Sequence, residues 1–390
     1  MRWMRILGVS GLVLGTANML AVFNTRVGRP LLAQGVPDAT PRVVVDSDGT
    51  VHIPAQAVPM SGLLSAEAKA YMTQHLKDMQ APRGAGGGGG QNNGVPGFLA
   101  GYLERQKVLY PVDREDTKIQ GVHVYVYTPK GGVPAANRDR VLINLHGGGF
   151  SGCWPGCAEL ESISISALAK TKIVSIDYRQ GPTYKFPAAS EDVASVYGAL
   201  LKQYQPRNVG IYGCSAGGML TAMSLAWFQT HNLPRPAAAG IFCAGAGSPT
   251  GAGFGGDAAF TAGPLGEARM SGAAVAPARG AGAREGRAGA GGGLGYLAGT
   301  DPMDPLVAPI NSPATLAKFP PTLIITGTRG FEMSGAVYTH TQLIKAGIDA
   351  RLHVWEGLFH GFFYNPDVPE SKDCYDVIIK FFAQRLGKPA

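Results

Sequence analysis

RNVGIYGCSAGGMLTAMSLAWFQ, residues 207–229, is the stretch that decides the fold. It opens with an apolar run, residues 209–212, that is typical of a buried strand, and it passes directly into a segment with helical character. Gly213 and Gly217 flank Ser215, and glycines permit the tight turn that a strand-to-helix junction needs. This context is that of a nucleophile elbow, which exposes a serine at a helix N-terminus. A glycine-rich turn with an uninvolved serine is the alternative, and the flanking strand and helix disfavour it.

Strands and helices alternate on both sides of the elbow. The predicted strands read VHVYVYTP, RVLINLHGG, TKIVSIDYR, AAAGIFCAGAG, PPTLIITGT and ARLHVWEG, and the clearest helices read PAASEDVASVYGALLKQY and DCYDVIIKFFAQRL. Most of these strands are apolar throughout, as in a sheet that is covered on both faces. The alternation predicts an α/β fold with a mostly parallel sheet and right-handed crossovers.

Composition limits the classes of protein that are possible. A chain of 390 residues with 45% hydrophobic and 16% charged residues can bury one large α/β core and still carry a cap. The net charge of +7 is concentrated at the N-terminus and in one Gly/Ala-rich stretch. Because no basic helix face carries interleaved aromatic residues, we expect no nucleic-acid partner.

The N-terminus reads as an export signal. MRWMR is basic, and residues 6–23 that follow are largely apolar, so residues 1–33 are predicted to be a signal peptide. An uncleaved anchor is the alternative, since the apolar run is nearly long enough to span a bilayer. The body is therefore expected to be periplasmic or secreted, with a membrane contact only if the segment is retained.

Three further segments complete the predicted organisation. Residues 34–105 are expected to form a cap, with a hairpin turning at Asp48-Gly49, a helix capped by Ser65 and a flexible Gly-rich linker. Residues 106–390 form the predicted catalytic domain. Within it, residues 251–294 are rich in Gly, Ala and Arg and read as a flexible lid insert, or alternatively as an out-of-frame stretch.

Two further motifs fit the chemistry of a serine nucleophile. HGGGF, residues 146–150, follows a strand, and its glycines allow a backbone to approach a reacting oxygen closely. We expect an oxyanion hole formed by the backbone amides of Gly148, Gly149 and Ala216. His360 follows the last predicted strand, where a general base would lie.

Five motifs in this order resemble one known family. HGGGF, DYRQGPTYKFPAASED, GCSAGG, DPLVAPINSP and GLFHGFF are similar to the hormone-sensitive-lipase family of α/β-hydrolase fold carboxylesterases. The resemblance covers about residues 105 to 390. It implies an eight-stranded sheet, hydrolysis of carboxylic esters without cofactor or metal, Ser215 as nucleophile and His360 as base.

The acid of the expected triad departs from the family pattern. The family places an aspartate at the position of Gly330, and it usually has an aspartate where this chain has Cys214. Glu332, two residues further on with a longer side chain, is the predicted acid. Glu356, four residues before His360, is the alternative.

The segment after the oxyanion loop bears on substrate binding. Trp154 and Phe150 are predicted to contact the substrate. Glu159 and Glu161 are expected to cap and solvate a helix, and contact with a cationic or hydroxylated substrate group is the alternative. Cys153 and Cys157 are close enough to form a disulfide, or they are two unlinked loop residues.

The predicted function is therefore a serine carboxylesterase that cleaves small to medium acyl esters through an acyl-enzyme. The alternative is a non-catalytic α/β-hydrolase that binds a ligand or partner, and its only support is the glycine at position 330.

Overall fold

The computed structural model describes residues 43–54, 57–80, 94–247, 256–266 and 294–387. The predicted signal peptide, residues 84–93 of the Gly-rich run and most of the 251–294 insert lie outside these residues. The chain divides into two compact units, residues 1–57 and 58–390. Residues 58–105 fall in the second unit, and the predicted division between cap and catalytic domain stays a prediction.

The first unit contains the predicted hairpin. Strands β1 (Val44–Val45) and β2 (Val51–His52) pair antiparallel. The Gly49 amide donates to the Asp46 carbonyl at 3.0 Å, which closes the turn. Gly49 has a φ of 87°, a conformation that glycine adopts without steric penalty.

Two helices open the second unit, α1 (Ala66–Gln80) and α2 (Gly97–Leu109). The predicted cap of α1 is confirmed, since the Ser65 hydroxyl accepts a hydrogen bond from the Ala68 amide at 3.0 Å. Ala68 and Met72, which are four residues apart and share one face of α1, are fully buried.

The centre of the second unit is a sheet of eight strands in the order β10-β9-β8-β7-β5-β6-β4-β3. The pairs β3–β4 and β4–β6 are antiparallel, and all other neighbours are parallel. The strands are β3 (Val112–Ile119), β4 (Val122–Pro129), β5 (Val141–Leu145), β6 (Lys172–Ile176), β7 (Val209–Cys214), β8 (Ala238–Phe242), β9 (Thr322–Gly327) and β10 (Ala350–Trp355).

Helices connect these strands in the predicted alternation. They are α3 (Gly156–Ala169), α4 (Ala188–Leu200), α5 (Ala216–Thr230), α6 (Asp257–Thr261), α7 (Gly263–Gly266), α8 (Pro313–Leu316), α9 (Met333–Lys345) and α10 (Pro369–Arg385). Short 3₁₀ turns lie at Ala135–Asn137, Pro206–Asn208, Leu294–Leu297, Pro309–Asn311 and Phe362–Tyr364. Among the helices of the described residues, none has both the length and the apolar character needed to cross a bilayer.

The core forms an apolar layer on each face of the sheet. Neighbouring residues of one strand point to opposite layers: Ile143 belongs to one buried cluster and Leu142 to the other. Helices α4 and α5 contribute to the first cluster, and α3 and α10 contribute to the second. The predicted α/β-hydrolase fold, with a mostly parallel eight-stranded sheet and helices on both faces, is confirmed.

Candidate active site

The turn after β7 has the strained geometry of a nucleophile elbow. Ser215 adopts φ 59° and ψ −124°, a region that side-chain-bearing residues rarely occupy. Gly213 and Gly217 are required for this turn. A Cβ would lie 2.3 Å from the Leu145 carbonyl oxygen at Gly213 and 1.7 Å from it at Gly217. The backbone therefore crosses β5 at a distance that only glycine allows.

Backbone contacts fix the position of Ser215 at the carboxyl edge of the sheet. Its amide donates to the Phe242 carbonyl of β8 at 2.9 Å, and its carbonyl accepts from the Met219 amide of α5 at 3.1 Å. Ala216 is the first residue of α5, so its N–H belongs to the first turn, where no intrahelical acceptor exists.

The glycine loop after β5 lies against the serine. A Cβ at Gly147 would be 3.4 Å from the Ser215 Cβ. Gly148 has φ 117°, and a Cβ there would lie 2.3 Å from the Gly152 carbonyl oxygen. Gly149 has φ 63°. Within the part of the chain that the structure describes, neither the Gly148 nor the Gly149 amide donates to an internal acceptor.

His146 supports this loop from behind. It is fully buried, and its ring stacks on Tyr178 at a centroid distance of 4.5 Å. Its Nδ1 lies 2.6 Å from the Gly147 carbonyl oxygen. Burial lowers the pKa of His146 to about 4, although the contact with Gly147 opposes this shift. The ring is therefore neutral at physiological pH, which suits an orienting role.

The predicted base and acid lie together. His360 Nδ1 is 3.1 Å from Glu332 Oε2, with side-chain exposures of 19% and 0%. The ring of Phe331 stacks on His360 at 4.7 Å. Burial raises the pKa of Glu332, but the charge and hydrogen bond of His360, with hydrogen bonds from the Glu332 backbone and Thr326, outweigh it. The net pKa lies below the usual range, so the carboxylate is ionised at neutral pH.

Gly330 explains how Glu332 reaches the histidine. A Cβ at position 330 would lie 2.5 Å from Glu332 Oε1 and 2.9 Å from both Cδ and Oε2. The Glu332 carboxylate therefore occupies the space where a side chain of residue 330 would begin. Thr326 at the end of β9 donates its hydroxyl to Oε1 at 3.0 Å and holds the carboxylate there.

The other carboxylates that lie between the serine and the histidine in the chain have different surroundings. Glu356, the alternative acid, is exposed at the end of β10. Asp301 and Asp304 accept hydrogen bonds from backbone amides within their own turns, each at 2.8 Å. Asp349 precedes β10 and pairs with Arg385.

Cys243 lies next to the segments that carry the serine and the histidine. Cys243 directly follows Phe242, the acceptor of the Ser215 amide, and its Sγ accepts from the Gly361 amide at 3.3 Å. Ligand atoms of Cys243, Glu332 and His360 all lie within 4.8 Å of one another. The set has the residue types of a metal site, but the facing atoms of Glu332 and His360 already contact each other, so we assign these two residues to the candidate triad.

The two predicted substrate contacts differ in their surroundings. Phe150 is only 1% exposed and stacks on Tyr296 at 4.9 Å, so its side chain packs in the core and offers no surface to a substrate in this conformation. Trp154 is half-buried and lies 5.5 Å from the His146 ring, and its contact with substrate stays a prediction. Cys153 and Cys157 form a disulfide beside the glycine loop.

The expectation that Glu159 and Glu161 cap and solvate a helix is wrong. Both lie in α3 and are buried, with exposures of 5% and 3%. Glu159 pairs with Arg114 at 2.6 Å and with Lys107 at 3.2 Å. Glu161 contacts the backbone of the glycine loop at Gly147 and of the elbow at Cys214. The spacing of residues along the helix does not predict these contacts, because they form only when distant segments of the chain meet in the fold.

Comparison with known proteins decides the family. The family model described as the alpha/beta hydrolase fold matches residues 142–364. This chain belongs to the α/β-hydrolase family. The match runs from β5 through the elbow to Tyr364, so it contains every residue of the candidate triad and oxyanion hole. The α/β-hydrolase fold that the five sequence motifs implied is thereby confirmed.

Relatives of this α/β-hydrolase include a hydrolase and an esterase. An acetyl-hydrolase of Streptomyces hygroscopicus is 29% identical over 264 residues, which is 65% of this chain and 79% of that protein. A versiconal hemiacetal acetate esterase of Emericella nidulans is 31% identical over 120 residues, 29% of this chain and 40% of that protein. This chain thus spans less than half of the fungal relative.

Solved structures share the fold. The esterase E25 aligns with a TM-score of 0.65 and 27% identity, over 86% of this chain and 98% of that one. An esterase from the bacterial hormone-sensitive lipase family aligns with a TM-score of 0.63 and 23% identity, over 83% of this α/β-hydrolase and 99% of that chain.

Proposed function

We propose that this α/β-hydrolase is a serine carboxylesterase. The observation that carries the proposal is the buried Glu332 carboxylate, which lies 3.1 Å from His360 Nδ1 in the space that Gly330 leaves open. The glycine at position 330, where the family has an aspartate, was the only support for a non-catalytic protein. The contact between Glu332 and His360 provides a carboxylate in place of that aspartate. The strained Ser215 at the elbow and the adjacent glycine loop supply the remaining parts.

In the proposed reaction the Ser215 hydroxyl attacks the ester carbonyl while His360 Nε2 takes its proton. Glu332 holds the proton on Nδ1 and stabilises the imidazolium. The oxyanion receives hydrogen bonds from the amides of Gly148, Gly149 and Ala216. His360 then protonates the leaving alcohol, and an acyl-enzyme forms. Water attacks this ester by the same steps and releases the acid, which restores the serine.

Short acyl groups are the proposed substrates within the small-to-medium range. Two relatives bear names that refer to acetyl groups or acetate esters. Phe150 packs in the core beside the glycine loop, and the loop after it is fixed by the disulfide between Cys153 and Cys157. We therefore expect turnover to be highest with acetyl and butyryl esters and to decline with longer chains.

The test is hydrolysis of nitrophenyl esters of increasing acyl length by the wild type and Ser215→Ala. We expect the wild type to turn over and Ser215→Ala to fall to the background rate. We also expect a fluorophosphonate probe to label the wild type at Ser215 and to leave the variant unlabelled. Absence of Ser215-dependent turnover with every ester, together with no labelling, would overturn the proposal and favour a binding protein.

A further inference from the structure

Glu161 is a buried carboxylate without a cation partner among the described residues. It lies in the middle of α3 and is only 3% exposed. Glu159, one half-turn earlier, is also buried, but it pairs with Arg114 and Lys107. Burial raises the pKa of Glu161 to about 7, although four hydrogen bonds act in the opposite direction. Burial of a carboxylate without a cation costs free energy, and a neutral side chain would be easier to bury. Stability therefore does not account for an acid at this position.

Each carboxylate oxygen of Glu161 accepts two hydrogen bonds. Oε1 accepts from the Gly147 amide at 2.8 Å and from the Tyr364 hydroxyl at 2.9 Å. Oε2 accepts from Asn144 Nδ2 at 2.9 Å and from the Cys214 amide at 3.3 Å. Four donors converge on two oxygens, an arrangement that suits an ionised carboxylate, which only accepts. An amide would place its N–H group against the Gly147 amide on one side or against the Asn144 and Cys214 donors on the other. A protonated acid would require the Tyr364 hydroxyl to turn and accept.

Three of the four donors come from the segments that carry the candidate site, and the fourth, Asn144, lies in β5. Gly147 is the residue before Gly148 in the glycine loop. Cys214 is the residue before Ser215. Tyr364 ends the 3₁₀ turn that follows His360. One carboxylate is therefore bonded to the backbone beside the oxyanion hole, to the backbone beside the nucleophile and to the segment that carries the base.

The groups that face Glu161 are neutral. Tyr364, Tyr212 and Tyr178 are buried, and burial raises their pKa values well above the usual range. Burial likewise raises the pKa of the Cys214 thiol, with a further contribution from the neighbouring Cys243. Glu161 is thus the group in this polar cluster whose charge changes near neutral pH.

We propose that Glu161 is a positioning residue that holds the oxyanion loop, the nucleophile elbow and the histidine segment in their catalytic arrangement while it is ionised. This inference rests on the proposed serine-esterase function and deepens it. Loss of the carboxylate releases the Gly147 and Cys214 amides together, and displacements of about 1 Å at such a site reduce rates about 10²-fold. The effect falls on kcat, because these contacts align reacting groups and do not bind substrate.

The first test compares Glu161→Gln with Glu159→Gln, a matched substitution on the same helix. We expect Glu161→Gln to lower kcat for nitrophenyl acetate about 10²-fold with KM changed less than about threefold. Glu159→Gln is expected to keep kcat within about twofold of the wild type. The acid limb of the wild-type kcat profile should contain two protonations, those of His360 and Glu161, and Glu161→Gln should retain only one.

The second test uses Tyr364→Phe, which removes one hydrogen-bond donor to Glu161 and keeps the aromatic ring. This variant tests the role of Glu161 even if Glu161→Gln fails to fold. Because the lost hydrogen bond favoured the charged carboxylate, the acid limb should shift to higher pH. Unchanged kcat and pH profile in Glu161→Gln, or in Tyr364→Phe where the first variant does not fold, would overturn the inference. Turnover that persists in Ser215→Ala would instead overturn the proposed function, so the two failures are distinguishable.

Discussion

Replacement of Gly330 by alanine is the sharpest probe of the displaced acid. The added Cβ would lie 2.5 Å from Glu332 Oε1, whereas ordinary contact begins at 3.4 Å, so the carboxylate must retreat by about 0.9 Å, the difference between the two distances. Rotation of the carboxylate does not relieve the contact, because Cδ and Oε2 would also lie only 2.9 Å away. The φ of Gly330 lies outside the left-handed region, so alanine introduces no backbone strain.

The expected result is a loss of alignment between Glu332 and His360. A displacement of nearly 1 Å predicts a fall in kcat of about 10²-fold, equivalent to about 2.7 kcal/mol of activation free energy. The assay is steady-state hydrolysis of nitrophenyl acetate, with circular dichroism to confirm folding. Gly101→Ala is the matched control, since a Cβ at that exposed helical position meets nothing within 4 Å. A folded Gly330→Ala enzyme with wild-type kcat would refute this reasoning.

Three further outcomes follow from the structure. Glu161 has a folded-state pKa of about 7 against 4.5 when unfolded. The folded state therefore binds this proton more tightly, and the stability that the proton contributes is fully present below pH 4.5 and is lost as pH rises through 7. Urea unfolding should show the wild type losing up to about 3 kcal/mol relative to Glu161→Gln between pH 4.5 and pH 8, whereas parallel curves would contradict this. The double variant Cys153→Ser/Cys157→Ser should have a free energy of unfolding about 2 kcal/mol lower than the wild type, as expected for so short a disulfide loop. Equal urea midpoints for the two proteins would contradict this stabilisation by the disulfide. Gly217→Ala, whose Cβ would lie 1.7 Å from the Leu145 carbonyl oxygen, should lower the free energy of unfolding by about 3 kcal/mol or more, and a wild-type melting temperature would argue against the elbow geometry.

The parts of the site that depend on local sequence could be predicted. The elbow needs a strand, two glycines and a helix in immediate succession, so the pattern around Ser215 determines its own geometry. The glycine loop follows β5 directly and His360 lies in the loop after β10, and parallel strands bring their carboxyl ends to one edge of the sheet. The alternation of strands and helices predicted the mostly parallel α/β fold, and the family resemblance implied its eight strands.

The parts that depend on contacts between distant segments were harder to predict. Nothing in the spacing of α3 shows that Glu161 meets Cys214 and Tyr364, which lie 53 and 203 residues away. The packing of Phe150 against Tyr296 was missed for the same reason, since the two residues meet only in the folded chain. Glu332 was predicted because its side chain is longer than aspartate, but the space left by Gly330 is visible only in three dimensions.

Export and the signal peptide stay predictions, because residues 1–33 lie outside the described ranges. In the 251–294 insert, residues 257–261 and 263–266 form α6 and α7, and its role as a lid stays a prediction.

Side-by-side turnover of Glu332→Gln and Glu356→Gln tests the central claim most directly. Both variants remove one negative charge from a residue between Ser215 and His360, but only Glu332 is buried against the histidine ring. With nitrophenyl acetate at saturating concentration, we expect Glu332→Gln to lower kcat by about 10³- to 10⁴-fold and Glu356→Gln to stay within about twofold of the wild type. Full activity in Glu332→Gln together with loss of activity in Glu356→Gln would contradict the assignment of the acid.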